Sequence, residues 1–319
     1  MLNGEFKKKI LFITGKGGVG KSTVTSAIAY HLAKQGKKIL VLDADPAHSM
    51  PDVFGITEKV YGKRGGFIVN SGLTRVYDGL PLDLLVLNPV NVRSKYNGSH
   101  QIMWLAELGK ELGFFAHLDR MSEFFTLADT LYKMHRKYDY FVIDNEPSAG
   151  TLDMIESIDG WLKALDNVGK YNIVFRVMLT NKLLDRQLAD EVRKLLFDNN
   201  GQFLEEFLHM LEAVKSLFTD ADRFQPIIVS SPEDAVIRET YRLRKELNDR
   251  LGIPANSVIF NKVSLSQPLS DWHKERIKHF VTASGAQCYT VPFANEVDLS
   301  DEKNAMKFIG SLETLIRAF

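Results

Sequence analysis

The chain is poor in cysteine: Cys288 stands alone among 319 residues. One thiol closes no intrachain disulfide and builds no CxxC metal clip within one chain. That usage fits a reducing compartment. Net charge is lacking too, since 40 Lys and Arg balance 40 Asp and Glu. Bulk nucleic-acid binding by charge is therefore not expected. No apolar run reaches the roughly 18 residues of a membrane span. Lys7, Lys8 and Lys9 precede an apolar stretch in the manner of a signal peptide. That stretch is too short for one and belongs to a different motif. Repeats, low-complexity tracts and long linkers are also missing. The expectation is a soluble, cytoplasmic protein with no nucleic-acid partner. The length allows two domains, but nucleotide-binding α/β folds of this size often run as one, with a large core.

What is present centres on residues 10–23, ILFITGKGGVGKST. A short apolar strand, Ile10 to Ile13, runs into Gly15, Lys16, Gly17, Gly18, Val19, Gly20, Lys21, Ser22 and Thr23. This is the G-x-x-x-x-G-K-[ST] pattern, a loop whose backbone N–H groups cradle nucleotide phosphates. Its glycines permit backbone angles that a Cβ forbids. Lys21 supplies a point charge to the β- and γ-phosphates, and the Ser22 hydroxyl can ligate Mg²⁺. Ser22 to Lys34 reads as a helix whose N-terminal dipole faces the phosphates. Lys16 is a second lysine that an ordinary loop of this kind does not need. It is either solvated or serves a phosphate outside its own loop.

Apolar strands and amphipathic helices alternate along the chain, which predicts an α/β fold with a doubly wound, mostly parallel sheet. Strands are expected at Lys37 to Asp45, Leu82 to Asn88, Asp139 to Asp144, Asn172 to Thr180, Pro226 to Ser230, Ser257 to Asn261 and Cys288 to Val291, for a total of seven or eight. Ligands of such sheets sit at the carboxyl ends of strands. Residues 99–137 and 185–218 exceed a minimal α/β unit. The first carries a stripe that ends Met121, Phe125, Ala128, Tyr132, with Leu131 and Met134 off it. The second carries Phe203, Phe207, Met210, Val214 and Leu217 on one side. Such helices are buried on more than one face or cover something else. Each residue is core or part of an adaptable client surface. Residues 59–72, rich in glycine and basic residues, read as a surface loop.

Two strands end in acids. Asp43 and Asp45 close the second strand in DADPAHS, and Asp144 closes another as a Walker-B acid would. Phosphoryl transfer needs positioning and charge neutralisation more than covalent help. Asp45 is the candidate to orient or deprotonate the attacking water. Asp144 is the candidate Mg²⁺ residue, with Asp43 assisting through water. A turn-forming or capping role is the alternative for each.

GKGGVGKST, with lysine directly after the first glycine, resembles the deviant Walker-A loop of the nucleotide-dependent dimerising ATPases. DADPAHS resembles one branch, the arsenical-pump ATPase family, which includes the guided-entry ATPases that deliver tail-anchored membrane proteins. Asp144 to Leu152 resembles the family's second switch. Ser231 to Arg242 with Val258 to Asn261 resembles its adenine-side segment, and Val291 to Phe293 with Glu296 its C-terminal adenine loop. The resemblance spans nearly the whole chain. It implies a P-loop ATPase of one domain, residues 1–319, with ATP and Mg²⁺ as cofactors. It implies a homodimer in which Lys16 reaches the partner's nucleotide. Glu233 and Asn261 would contact nucleotide, and Pro292 and Phe293 would flank the base. The insertions near 99–137 and 185–218 would form a client-binding subdomain for a hydrophobic helix, with a membrane receptor as a further partner. Asn145, Glu146 and Gly150 depart from the family's Thr, Ala and His, which puts nucleotide coupling to the client in question. The pump's arsenite cysteines and the guided-entry zinc cysteines have no counterpart. An arsenite-pump subunit is therefore not expected. The reading from another class is an ATP-switched regulatory or metallocentre-maturation protein with slow turnover.

Overall fold

The computed structural model describes residues 9–45, 47–62, 72–87, 121–145, 158–159, 162, 202–293, 299, 301–315 and 317–318. Among these, nine strands make one sheet. They are β1 (Ile10–Gly15), β2 (Ile39–Ala44), β3 (Thr74–Arg75), β4 (Leu82–Val86), β5 (Tyr140–Asn145), β6 (Phe224–Ser230), β7 (Ser257–Val263), β8 (Gln287–Pro292) and β9 (Arg317–Ala318). Their order is β3-β4-β2-β5-β1-β6-β7-β8-β9. All neighbours pair in parallel except β3 on β4 and β9 on β8, at the two edges. The chain leaves β1 toward β2 on one side and later fills β6, β7 and β8 on the other. β1 is therefore the switch point, where ligands of open α/β sheets bind.

The helices are α1 (Lys21–Lys34), α2 (Met50–Val53), α3 (Thr57–Tyr61), α4 (Met121–Met134), α5 (Gln202–Thr219), α6 (Asp234–Leu251), α7 (Leu269–Ser284) and α8 (Glu302–Leu315). Side chains alternate across a strand, so the buried β1 run serves two layers. Leu11 and Ile13 join Val24 and Ile28 of α1 and Ile309 of α8 on one face. Phe12 points to the other and meets Phe218 of α5 and Phe224 of β6, with centroids 6.2 and 5.6 Å away. Farther along that second face, Ile237 and Leu247 of α6 and Ile277 and Phe280 of α7 pack on Val258 and Phe260. A sheet covered on both faces needs apolar residues at successive positions, which is why the strand runs were readable.

The predicted strands from β1, β2, β4, β5, β6, β7 and β8 are present, within a few residues of their expected ends. Asn172 to Thr180 lies outside the described residues. The sheet gains β3 and β9, two residues each, too short to carry a period. Lys59 to Tyr61, read as loop, close helix α3 instead. The described parts of both insertions are α4 and α5. Among the side chains described in α4, Leu127, Ala128, Thr130 and Leu131 are buried, whereas Tyr132 is 40% exposed. Ala128 of the expected stripe is therefore buried, Tyr132 of the stripe is not, and Leu131 off the stripe is. In α5, Met210, Leu211, Val214 and Phe218 are buried. Met210 is thus a core residue, not the lining of an open groove, because its own chain already covers it.

Candidate active site

The phosphate loop leaves β1 at Gly15 (φ 146°) and enters α1 through Gly20 (φ 88°). Both positions demand glycine twice over. A Cβ on Gly15 would overlap the Val229 carbonyl of β6, and one on Gly20 would overlap the Asn261 side-chain amide. No side chain caps α1, and its first turn holds no acid. Its orphan N–H groups and positive dipole end are left for an anion. Val19 is buried under the loop.

The two loop lysines are placed differently. Lys21 is buried, and its Nζ lies 3.7 Å from Asp45 Oδ2. Asp45 also turns its own backbone, accepting the Ala47 N–H at 3.0 Å. Lys16 is 41% exposed and sits 3.5 Å from Glu239 on α6.

Ser22 heads α1 beside the ends of β2 and β5. Its hydroxyl donates to Asp144 Oδ2 at 2.6 Å. A hydroxyl has one hydrogen, so Ser49 is the donor in the 2.6 Å contact between Ser49 Oγ and Ser22 Oγ. One Ser22 lone pair remains. Thr25, one helical turn beyond Lys21, shares its single hydroxyl hydrogen between the Lys21 carbonyl at 2.9 Å and Asp144 Oδ1 at 3.1 Å. Asp43 lies opposite Asp144 in the β2–β5 register, and both are fully buried. Burial, and then the Asp43 charge, push the Asp144 carboxyl up to about 7. Burial likewise raises Asp43, against His48 and the Met50 N–H, which favour its charged form. Each of two buried carboxyls at strand spacing opposes the other's ionisation, and a cation between them relieves that repulsion. A serine hydroxyl with a carboxylate is the hard-oxygen set that Mg²⁺ takes alongside phosphate oxygens and waters. The loop and this pair therefore fit a magnesium nucleotide: Ser22 and Asp144 would hold the ion, and the loop amides with Lys21 would hold the phosphates. Bound there, the ion supplies charge neutralisation at the transferred group.

The end of β7 closes the loop's other side. Asn261 Nδ2 donates to the Val19 carbonyl at 2.9 Å, and Lys262 Nζ donates to the Gly18 carbonyl at 2.6 Å. Pro292 ends β8 and Phe293 follows it, separated from β1 by β6 and β7, and Phe293 is 53% exposed. Glu233 precedes α6 in extended conformation without capping it. Its charge is felt at His273 of α7. Thr23 gives its carbonyl to Ser26. Asn145 is buried at the end of β5, whereas Glu146 and Gly150 lie outside the described residues.

A family model described as anion-transporting ATPase matches residues 8–280. The chain belongs to that family. Relatives match the chain at low identity over most of its length. It is 27% identical over 277 residues to the putative arsenical pump-driving ATPase 2 of Aquifex aeolicus, covering 84% of each chain. It is 28% identical over 269 residues to the ATPase GET3 of Phaeosphaeria nodorum, 79% of this chain and 77% of that one. Against the putative arsenical pump-driving ATPase of Chlorobaculum tepidum, 27% identical over 278 residues, it spans 63% of the relative's length. As a member of the anion-transporting ATPase family the chain is an ATP hydrolase, with ATP and Mg²⁺ as cofactors.

Sequence reading missed three residues of the ATPase site. Thr25 carried a usable signal, standing four residues after Lys21 and so on the same helix face. Ser49 closes DADPAHS and was legible as part of that motif but not as a neighbour of Ser22. Lys262 had no signal, because its reach depends on a local break in the β7 ladder.

Proposed function

We propose that this ATPase works as a homodimer with composite sites, in which ATP binding and hydrolysis govern the holding and release of a hydrophobic client. The division between the two loop lysines carries the reading. Lys21 is buried against Asp45, while Lys16 stands half-exposed and is tied only loosely to a surface carboxylate. Exposed pairs of that kind contribute about 0–1 kcal/mol, so Lys16 can leave Glu239 at little cost and reach a second chain's nucleotide. Asp45 then aligns water in cis once Lys21 has turned to phosphate. Asp43 and Asp144 serve the ion with Ser22. Glu233, Asn261, Pro292 and Phe293 line the nucleoside side.

One domain, residues 1–319, is proposed, with the client surface in the insertions. Its candidates are the apolar stretches outside α4 and α5, such as Met103, Trp104, Phe114 and Phe115. Apolar burial drives client binding, and nucleotide shifts the population between open and closed pairs. The guided-entry resemblance makes a tail-anchored segment the client class, a membrane receptor the acceptor, and the cytoplasm the compartment. Among the described residues no helix is long and apolar enough to cross a membrane.

Mixed dimers test the composite site. Lys16→Ala and Asp45→Asn are each expected to be inactive alone. Combined, they pair one intact lysine with one intact aspartate, and up to a quarter of the activity is expected to return, roughly as subunits mix. Heterodimers shown to form but lacking any turnover would place Lys16 in cis and overturn the reading.

A further inference from the structure

Successive side chains of a strand point to opposite faces, yet Asn261 and Lys262 both reach the phosphate loop. The end of β7 achieves this by irregularity. Its pairing with β8 shifts register between Phe260 and Val263. Lys262 there takes φ 58°, in the left-handed region. That conformation is uncommon for a lysine. Such strain persists where surrounding structure holds it, and it clusters at functional sites. A bulge that turns a side chain toward a site is a recurrent device. Here it aims two consecutive donors at two consecutive carbonyls, those of Gly18 and Val19.

In a trans peptide the C=O and N–H point in opposite directions. The Gly18 carbonyl shares its peptide with the Val19 N–H, and the Val19 carbonyl shares its peptide with the Gly20 N–H. Drawing both carbonyls toward β7 turns those two N–H groups the other way, toward the inside of the loop. We propose that Lys262 is a positioning residue for ATP: its ammonium holds the Gly18 carbonyl outward and so keeps the Val19 amide aimed at the phosphates. Asn261, buried against Gly20, sets the loop's position. Lys262 is exposed and contributes little to the core. Its role falls on nucleotide affinity, and the amides it orients act on ground state and transition state alike.

Lys262→Met, Lys262→Arg and Lys262→Gly are compared with the full-length parent by ATP binding, steady-state hydrolysis and thermal midpoint. Lys262→Met is expected to raise both Kd and KM for ATP about tenfold, with kcat within about twofold. Lys262→Arg keeps a cationic donor and recovers most of that loss. Lys262→Gly removes the left-handed strain with the ammonium: it is expected to melt at or above the parent yet bind ATP as weakly as Lys262→Met. The proposal is overturned if Met and Gly variants bind ATP like the parent. It is equally overturned if affinity follows the melting temperature, with Gly restoring it, or if Arg recovers nothing, since the backbone rather than the cation would then be responsible.

Discussion

At Asp144, burial and the neighbouring Asp43 oppose ionisation, while the Ser22 and Thr25 hydroxyls and Lys21 favour it. The opposing pair wins, and the carboxyl titrates near 7 instead of the usual 3.8. A carboxyl whose value is raised on folding stabilises the fold below its unfolded value and loses that contribution as pH rises through the folded one. Stability of the nucleotide-free chain should therefore fall between about pH 4 and 7 from this group. Asp144→Asn removes the penalty but forfeits one hydroxyl bond, so it should gain about 1–3 kcal/mol at pH 8 and nothing at pH 4, read by urea unfolding. The same variant should lose Mg²⁺-dependent hydrolysis at least about 100-fold. No gain at pH 8 would mean that folding does not raise the Asp144 carboxyl, so that its ionised form carries no penalty in the free protein. The juxtaposition of Lys21, Ser22 and Asp144 was legible because a loop motif and a strand-end acid fix their neighbourhood. Ser49 and Lys262 were not, because each depends on how a turn or a bulge aims one side chain.

Among elements, β1 is held from both sides, and α5 contributes Phe218 to the phenyl cluster beneath it. Phe218 meets Phe224 at 5.1 Å as well as Phe12. Phe218→Ala should cost about 3–5 kcal/mol in denaturant unfolding, whereas Tyr132→Asp on the exposed side of α4 should change stability by less than about 0.5 kcal/mol. Equal effects would mean that α4 and α5 cover something other than the sheet. The strands β1, β2 and β5 were readable as unbroken apolar runs, since a parallel interior strand is buried on both faces. α4 was readable as a helix but not in its facing. Its apolar residues wrap more than one side, so spacing alone did not decide between Leu131 and Tyr132. The edge strands β3 and β9 are defined by tertiary pairing with β4 and β8, which no local pattern announces.

For the whole molecule, the proposed completion of the site by a second chain would make turnover depend on association. Hydrolysis per chain should fall about tenfold or more on dilution below the dimer's dissociation constant and recover on adding inactive Lys16→Ala chains, which still carry Asp45. Constant specific activity across that range would favour a self-sufficient chain. The sheet's rims bear on how two copies can meet. Among the described residues, β3 and β9 end it with antiparallel stubs of two residues. Stubs this short give an incoming strand almost no row of open amides and carbonyls to zip onto. Copies are thus discouraged from fusing rim to rim into a continuous ribbon, a route that would propagate without limit. In the proposed dimer, contact would then fall to the rim where strands finish and the loop lies, a meeting that two copies can satisfy without leaving an edge open.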